Sequence, residues 1–463
     1  MKGALRERLL ARGAQPVLID EDGTTRSGRE LVDRVQRLAG ALAGEGLAGA
    51  RVGVWYTNSL AAFEAYLAVE WIGATRVVLE PRAAPAEAAD VLAAAGTKAL
   101  LADSEHAAAS TGLVLCHDDH NSLQGTSLPP AENVPDGRAL HLYPRAVRGG
   151  ELLAVPISYG NWAATIDLNC RLYRSGRYGT WAEGSEVMLT LQQLLHGTAL
   201  MGSFPFLHMG LPQVLIRTFK PDQIASLIDR YHVTSTGMTS GMLAVLLDAV
   251  PSRGLPGLRR LLYGGAPLEP GQMRRAMDLL GGVLVQVYGR LEGGWPLTIL
   301  DQGDHAAIAA GAPDDCCGRA VGSEVELRVR DNGELCTRSP MAVAEFCDPD
   351  GWCSLGDLAR IDAAGYVYLE GRTDRMINTG YHVYPEEVEE ALKGLPGVAA
   401  ARVVGEPDER RGQVLAAYVV AKPGSNLDTT ALTSALRGRL ADYKVPRVIR
   451  LVDTLDAACG LVR

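Results

Sequence analysis

The sequence predicts an α/β protein with a large N-terminal domain of sheets and packed helices and a small α+β C-terminal domain. Three observations predict it. Apolar strand-like runs alternate with helix-period stretches from Ser27 to Leu101 and again from Leu189 to Leu300. The composition then shifts to short strands joined by turn residues. Beyond Gly371-Arg372-Thr373-Asp374 there remain about ninety residues, the size of a compact small domain. A chain of 463 residues with 47% hydrophobic content exceeds one core, which suits a division into 1–372 and 373–463.

In chain order, Ser27 with Glu30 three residues on forms a capping box ahead of a helical face of Leu31, Val32, Val35, Leu38, Ala39 and Leu42. Val52–Tyr56 reads as a strand, Leu60–Trp71 as a helix and Arg76–Leu79 as a strand, followed by a further helix and strand to Leu101. The polar, proline-punctuated segment from Asp103 to Arg138 reads as loop, with room for a strand at Leu113–Cys116. Val325–Val329, Gly333–Thr337 and Gly365–Leu369 read as antiparallel strands. In the last unit Pro385 opens a helix whose early turns carry Glu386, Glu387, Glu389 and Glu390, where the helix dipole favours acids.

The net charge of -9, from 45 Lys+Arg against 54 Asp+Glu, forms no basic stripe, so neither nucleic acid nor an anionic membrane is expected as partner. Charges scattered through Met1–Gln15 and the lack of a long apolar run predict a soluble, cytoplasmic protein. Eight cysteines without CxxC pairing argue for reduced thiols. The run Cys116–His120 reads as a polar loop, since adjacent residues rarely converge on one ion.

The string GDLARIDAAGYVYLEGRTDRMINTGYHVYPEEVE at 356–389 closely resembles the hinge region of adenylate-forming enzymes: AMP-forming acyl-CoA synthetases, peptide-synthetase adenylation domains and luciferases. Gly264-Gly265-Ala266-Pro267 and Tyr288-Gly289-Arg290-Leu291-Glu292 resemble further motifs of that family in the same order, and the likeness extends over nearly the whole chain. The resemblance implies the family's two-domain fold, ATP or AMP with magnesium, and coenzyme A or a phosphopantetheine carrier. It implies nucleotide-binding roles for Gly264, Gly265, Ala266, Pro267, Tyr288, Asp357 and Arg372, with Asp357 on the ribose hydroxyls and Arg372 on ribose or phosphate. Glycine lets backbone approach a flat purine. Glu292 matches a magnesium carboxylate, a hard oxygen donor for a hard cation. Asp374 matches the hinge, Gly380 the thiol-carrier tunnel, His196 the catalytic gate, and Phe204, Met238, Thr239, Ser240 and Trp295 the acyl pocket. For Asp357 and Arg372 a structural ion pair is the alternative, and for His196 a buried hydrogen-bonded histidine.

Four departures bear on ATP. Where relatives carry a glycine- and hydroxyl-rich phosphate loop ending in lysine, this chain reads Tyr143 to Leu153, with Glu151 and Leu153 in the cradle. Arg145 and Arg148 are the only cations there; they could partly substitute for the lost phosphate-binding groups but read better as a solvated hairpin tip. Leu461 stands at the lysine that stabilises charge during adenylation, while Leu291 and Leu355 replace threonines beside the nucleotide. The expectation is therefore an atypical acyl-CoA synthetase-like protein, acting on a small-molecule acyl or aryl derivative and a thiol carrier, coenzyme A or a carrier protein, with altered adenylation. The alternatives are an ordinary AMP-forming carboxylate–CoA ligase and an inactive scaffold. Cys316 and Cys317 are conceivable nucleophiles that read better as buried thiols.

Overall fold

The computed structural model describes residues 2–110, 112–118, 122–148, 150–266, 268–310, 316–379, 381–408 and 412–455. Ser27 caps the helix Gly28–Gly44: its hydroxyl accepts from the Glu30 amide, the Glu30 carboxylate accepts from the Ser27 amide, and the six predicted apolar residues are buried. The helix Leu60–Trp71 differs in kind, since all of its residues are buried. It packs on strands of two different sheets, Pro16–Asp20 on one side and Arg51–Trp55 with Thr75–Val78 on the other. Its two acids are tolerable there only with partners. Glu64 receives Arg26 at 3.0 Å, Arg34 at 2.5 Å and His117 at 2.9 Å, and Arg76 lies 3.4 Å from Glu70.

One of those sheets has six strands, in the order Val114–Cys116, Ala99–Ala102, Arg51–Trp55, Thr75–Val78, Ala139–Arg148 and Glu151–Ser158. The first five are parallel, and the last closes an antiparallel hairpin. The other has nine strands and is parallel through its centre, where Met188–Thr190, Ser235–Thr239, Arg260–Gly264 and Leu284–Arg290 lie side by side. An antiparallel sheet of Glu326–Val329, Glu334–Arg338, Cys353–Ile361 and Val367–Arg372 completes the large domain. The small domain has its own core, from Ile377 to Val445, beneath the strands Val398–Asp408, Gly412–Ala421 and Val448–Leu451 and the helices Pro385–Lys393 and Thr429–Arg437.

Two expectations need correction. The segment from Asp103 to Arg138 is not wholly loop: Asp103 caps a short helix, Ser104–Ala108, before the strand Val114–Cys116. The strand expected at Gly365–Leu369 runs Val367–Arg372, because Asp362 draws Ala364 and Tyr366 amides into a turn that occupies Gly365.

Candidate active site

The parallel strands of the nine-stranded sheet deliver Thr239, Gly265, Val287 and Tyr288 at or just past their carboxyl ends, the place where open α/β sheets hold ligands. A cavity of about 270 Å³ opens there, between the large domain and the small domain's residues Tyr381, His382, Tyr384, Tyr443 and Lys444. Met201, Val287 and Trp295 form its apolar part. The two-stranded ribbon of Ile377–Asn378 and His382–Val383 presses its face toward the cavity, and the Asn378 amide donates to the Gly265 carbonyl at 2.5 Å.

Charged groups around Tyr288 are paired among themselves. Asp357 accepts from the Tyr288 hydroxyl at 2.7 Å and from Arg372 at 2.6 Å. Burial and the Asp357 carboxylate raise the Tyr288 phenol well above its ordinary range, so it stays a donor. Arg372 also grips Asp374 with two bonds, 2.5 and 2.6 Å long, so one guanidinium ties the strand Cys353–Ile361 to the start of the small domain.

Arg145 corrects the solvated-tip reading. The register shift between Pro144 and Ala146 makes it the extra residue of a β-bulge, which turns its side chain inward. It is 21% exposed, contacts the Glu292 carboxylate, and lies 5.4 Å from the Tyr384 ring centre and 5.5 Å from that of Phe346. Arg290 stands 3.9 Å from Glu292 and 3.9 Å from Asp357. As arranged, these residues do not fit a magnesium ion on Glu292, since the Arg145 and Arg290 guanidiniums beside its Oε1 already balance the carboxylate and would repel a dication.

The other predicted residues divide. Gly265, Thr239, Trp295, Tyr288, His196 and Glu292 line the cavity. Gly264 and Ser240 lie behind the wall, the Ser240 hydroxyl donating to the Ala266 carbonyl at 2.5 Å. Phe204 and Met238 are fully buried away from it: Phe204 packs on Phe63, Tyr66 and Trp162, and Met238 belongs to the core of the second half. Both sit on regular elements with the side chain facing the core, a distinction that likeness of position does not carry. Leu355 is likewise core, 1% exposed. Cys316 and Cys317 are buried, and burial pushes the Cys317 thiol up to about 12, which makes it a poor nucleophile. Pro267, Gly380 and Leu461 lie outside the described residues.

Sequence reasoning missed Glu80 and Lys444 as cavity residues and set Arg145 aside as surface. Lys444 bridges the domains, 2.6 Å from Glu87 and 2.8 Å from Glu387. Burial opposes its charge, yet Tyr443, Glu387 and Glu87 hold the ammonium well above the ordinary lysine range. The proline at 144, which cannot serve a regular ladder, was the available signal for the bulge at Arg145. Nothing local marks Lys444, because its partners lie far away in sequence.

The model of the AMP-binding enzyme family matches residues 5–141 and 151–345, and that of the AMP-binding enzyme C-terminal domain matches 387–458. The chain is 32% identical to a feruloyl-CoA synthase of Amycolatopsis sp, with 94% of this chain and 91% of that protein covered. It is 31% identical to an octahydroindenyl-propanoyl:CoA ligase of Mycobacterium tuberculosis, with 95% and 92% covered. Among solved structures, the amide bond synthetase McbA of Marinactinospora thermotolerans superposes with a TM-score of 0.83 at 27% identity, with 97% of this chain and 96% of that one covered. The o-succinylbenzoate CoA synthetase of Bacillus subtilis shares the fold at a TM-score of 0.86 and 23% identity, with 98% and 95% covered. With both family models and these full-length likenesses in agreement, the chain belongs to the AMP-binding enzyme family.

Proposed function

We propose that the protein is an AMP-forming ligase that joins an acyl or aryl carboxylate to an acceptor, with coenzyme A or a carrier thiol as the expected acceptor. The observation that carries this reading is the cavity itself: an apolar part at Met201, Val287 and Trp295 runs toward the Tyr288–Asp357–Arg372 group, and the small domain closes the third side. A hydrophobic acyl group and a ribose hydroxyl pair suit those two ends. The Arg372–Asp374 clamp serves as the pivot of the small domain. The two relatives, one a CoA ligase and the other a CoA synthase by name, support the same reaction class.

A second reading is favoured by Arg145. Its contact with Glu292, together with Glu151 and Leu153 on the outgoing strand, leaves little to neutralise a triphosphate, so the protein would accept a preformed acyl adenylate. One experiment separates the readings. Purified protein receives a carboxylate panel with Mg-ATP and coenzyme A, or the matching synthetic adenylates with coenzyme A, and thioester and AMP are followed by mass spectrometry. Thioester from ATP supports the ligase, thioester from the adenylate alone supports the second reading, and thioester from neither sinks both.

A further inference from the structure

The cavity wall on the small-domain side holds two polar atoms with no hydrogen-bond partner among the described residues. Glu80 ends the strand Thr75–Val78 and its linker, and its backbone carbonyl is pinned by the Trp55 indole at 2.9 Å. Arg82 holds Oε1 through its Nε at 3.1 Å and its amide at 3.3 Å. That leaves Oε2 aimed away from Arg82, buried and without a hydrogen-bond partner, on a side chain only 9% exposed. Opposite stands Nε2 of His196, also buried and unpartnered, 3.7 Å from Glu80 Oε2.

A separation of 3.7 Å is too long for a direct hydrogen bond. One donor atom about 2.8 Å from each would bridge the two. Buried acceptors of this kind are costly unless something supplies the protons. His196 caps the helix Gly197–His208 at its positive end, which disfavours an imidazolium, and burial holds the imidazole below the ordinary histidine range although Glu80 pulls the other way. In its Nδ1–H tautomer the neutral ring presents Nε2 as an acceptor beside a carboxylate. A hydroxyl or thiol brings one proton, whereas a primary amine or ammonium brings enough for both.

The neighbours show which end of the cavity this is. The Arg82 guanidinium lies over the Tyr381 ring at 4.9 Å and the Tyr443 ring at 5.6 Å, and the His196 ring is 5.5 Å from that of Tyr381. Glu80 therefore faces the small domain, across His196 from the apolar part. We infer that Glu80 Oε2 and His196 Nε2 form a subsite for the nitrogen of a primary amine, which serves as the acceptor of the acyl group.

The chemistry, which rests on the acyl-transfer reading, balances without further reagents. The ammonium held by Glu80 releases one proton to solvent, and the freed amine attacks the carbonyl carbon of the acyl adenylate. The carbon–nitrogen bond forms, the carbon–oxygen bond to AMP breaks with its electron pair leaving on the phosphate, and the second nitrogen proton passes to solvent. Glu80 touches the nucleophile and holds it, while His196 Nε2 accepts a second N–H bond and orients the nitrogen toward the carbonyl.

The test compares benzylammonium with its near-isostere benzyl alcohol, by calorimetry and by the fluorescence of the cavity-wall residue Trp295, on the wild type, Glu80→Gln and Glu80→Asp. The wild type is expected to bind the ammonium at least tenfold more tightly than the alcohol, with the preference lost in Glu80→Gln and partly kept in Glu80→Asp. Equal binding of the two probes by the wild type, or an unchanged preference in Glu80→Gln, overturns the subsite. In a second arm benzoyl adenylate is supplied with benzylamine or with coenzyme A, and the KM for the amine is expected to rise at least tenfold in Glu80→Gln. Acylation of coenzyme A with no selective binding of the ammonium leaves the transfer reading standing and removes this one. Selective binding without acylation of either acceptor does the reverse.

Discussion

Lys444 of the small domain lies 2.6 Å from Glu87 of the large domain, and the same carboxylate accepts from the Ala441 amide at 2.7 Å. Two contacts on one acid, at a site where the lysine side chain is 11% exposed, make this the principal polar latch holding the small domain against the cavity.

Removing the cation leaves Glu87 and Glu387 facing each other without it. Lys444→Met should cost about 3 kcal/mol of docking, in the range for breaking a buried pair. Hydrogen exchange should then accelerate in the ribbon Ile377–Asn378 and His382–Val383 while the core of the large domain is unchanged. Unchanged exchange in the ribbon would show that the latch carries no energy.

Asp357 offers the carboxylate that Tyr288 and Arg372 orient. Asp357→Asn keeps the shape and removes the charge, so AMP affinity measured by calorimetry should fall at least tenfold, about 1.4 kcal/mol. A variant that binds AMP as well as the wild type would place the nucleotide elsewhere.

Arg145 predicts an unusual metal dependence. With its guanidinium on Glu292, AMP binding should be indifferent to magnesium in the wild type and should gain a magnesium requirement in Arg145→Ala, where the carboxylate is released. Titration of both proteins with and without chelator reads this directly, and a wild type that needs magnesium contradicts it.

His106 supplies a pH prediction. Its Nδ1 faces Asp103 at 2.7 Å and its Nε2 faces the Pro81 carbonyl at 2.9 Å, so both ring nitrogens must donate and the imidazolium is favoured. Burial lowers its pKa, but Asp103 and the Pro81 carbonyl outweigh burial and the folded value is raised. A raised folded pKa contributes stability that is complete below the unfolded value of about 6.5 and is lost as pH rises through the folded value. Denaturant melts should therefore show a larger gap between wild type and His106→Gln at pH 6 than at pH 9, and a gap independent of pH would refute the protonated pair.

Local patterns in the sequence reported local structure well. The capping box at Ser27 and Glu30 and the proline-started helix at Pro385 follow from periodicity and cap chemistry that act within a few residues, and the helix Leu60–Trp71 follows from its long apolar run beyond the Ser59 cap. The candidate site was legible only in part. Tyr288, Asp357, Arg372 and Glu292 sit in motifs, but Arg145, which meets Glu292, and Lys444, which meets Glu87, act across the fold, and no spacing rule reaches over 147 positions from Arg145 to Glu292. Phe204 and Met238 show the converse failure, since a residue can hold the right place in the chain while its side chain turns to the core.

The helix Leu60–Trp71 ties the two large sheets into one thermodynamic body. A rod with no solvated face, wedged between both sheets and carrying two acids that need partners, cannot leave one sheet without exposing its surface to water on that side. The large domain should therefore melt in one cooperative step despite its two layers, with the amides of Leu60–Trp71 among the slowest to exchange.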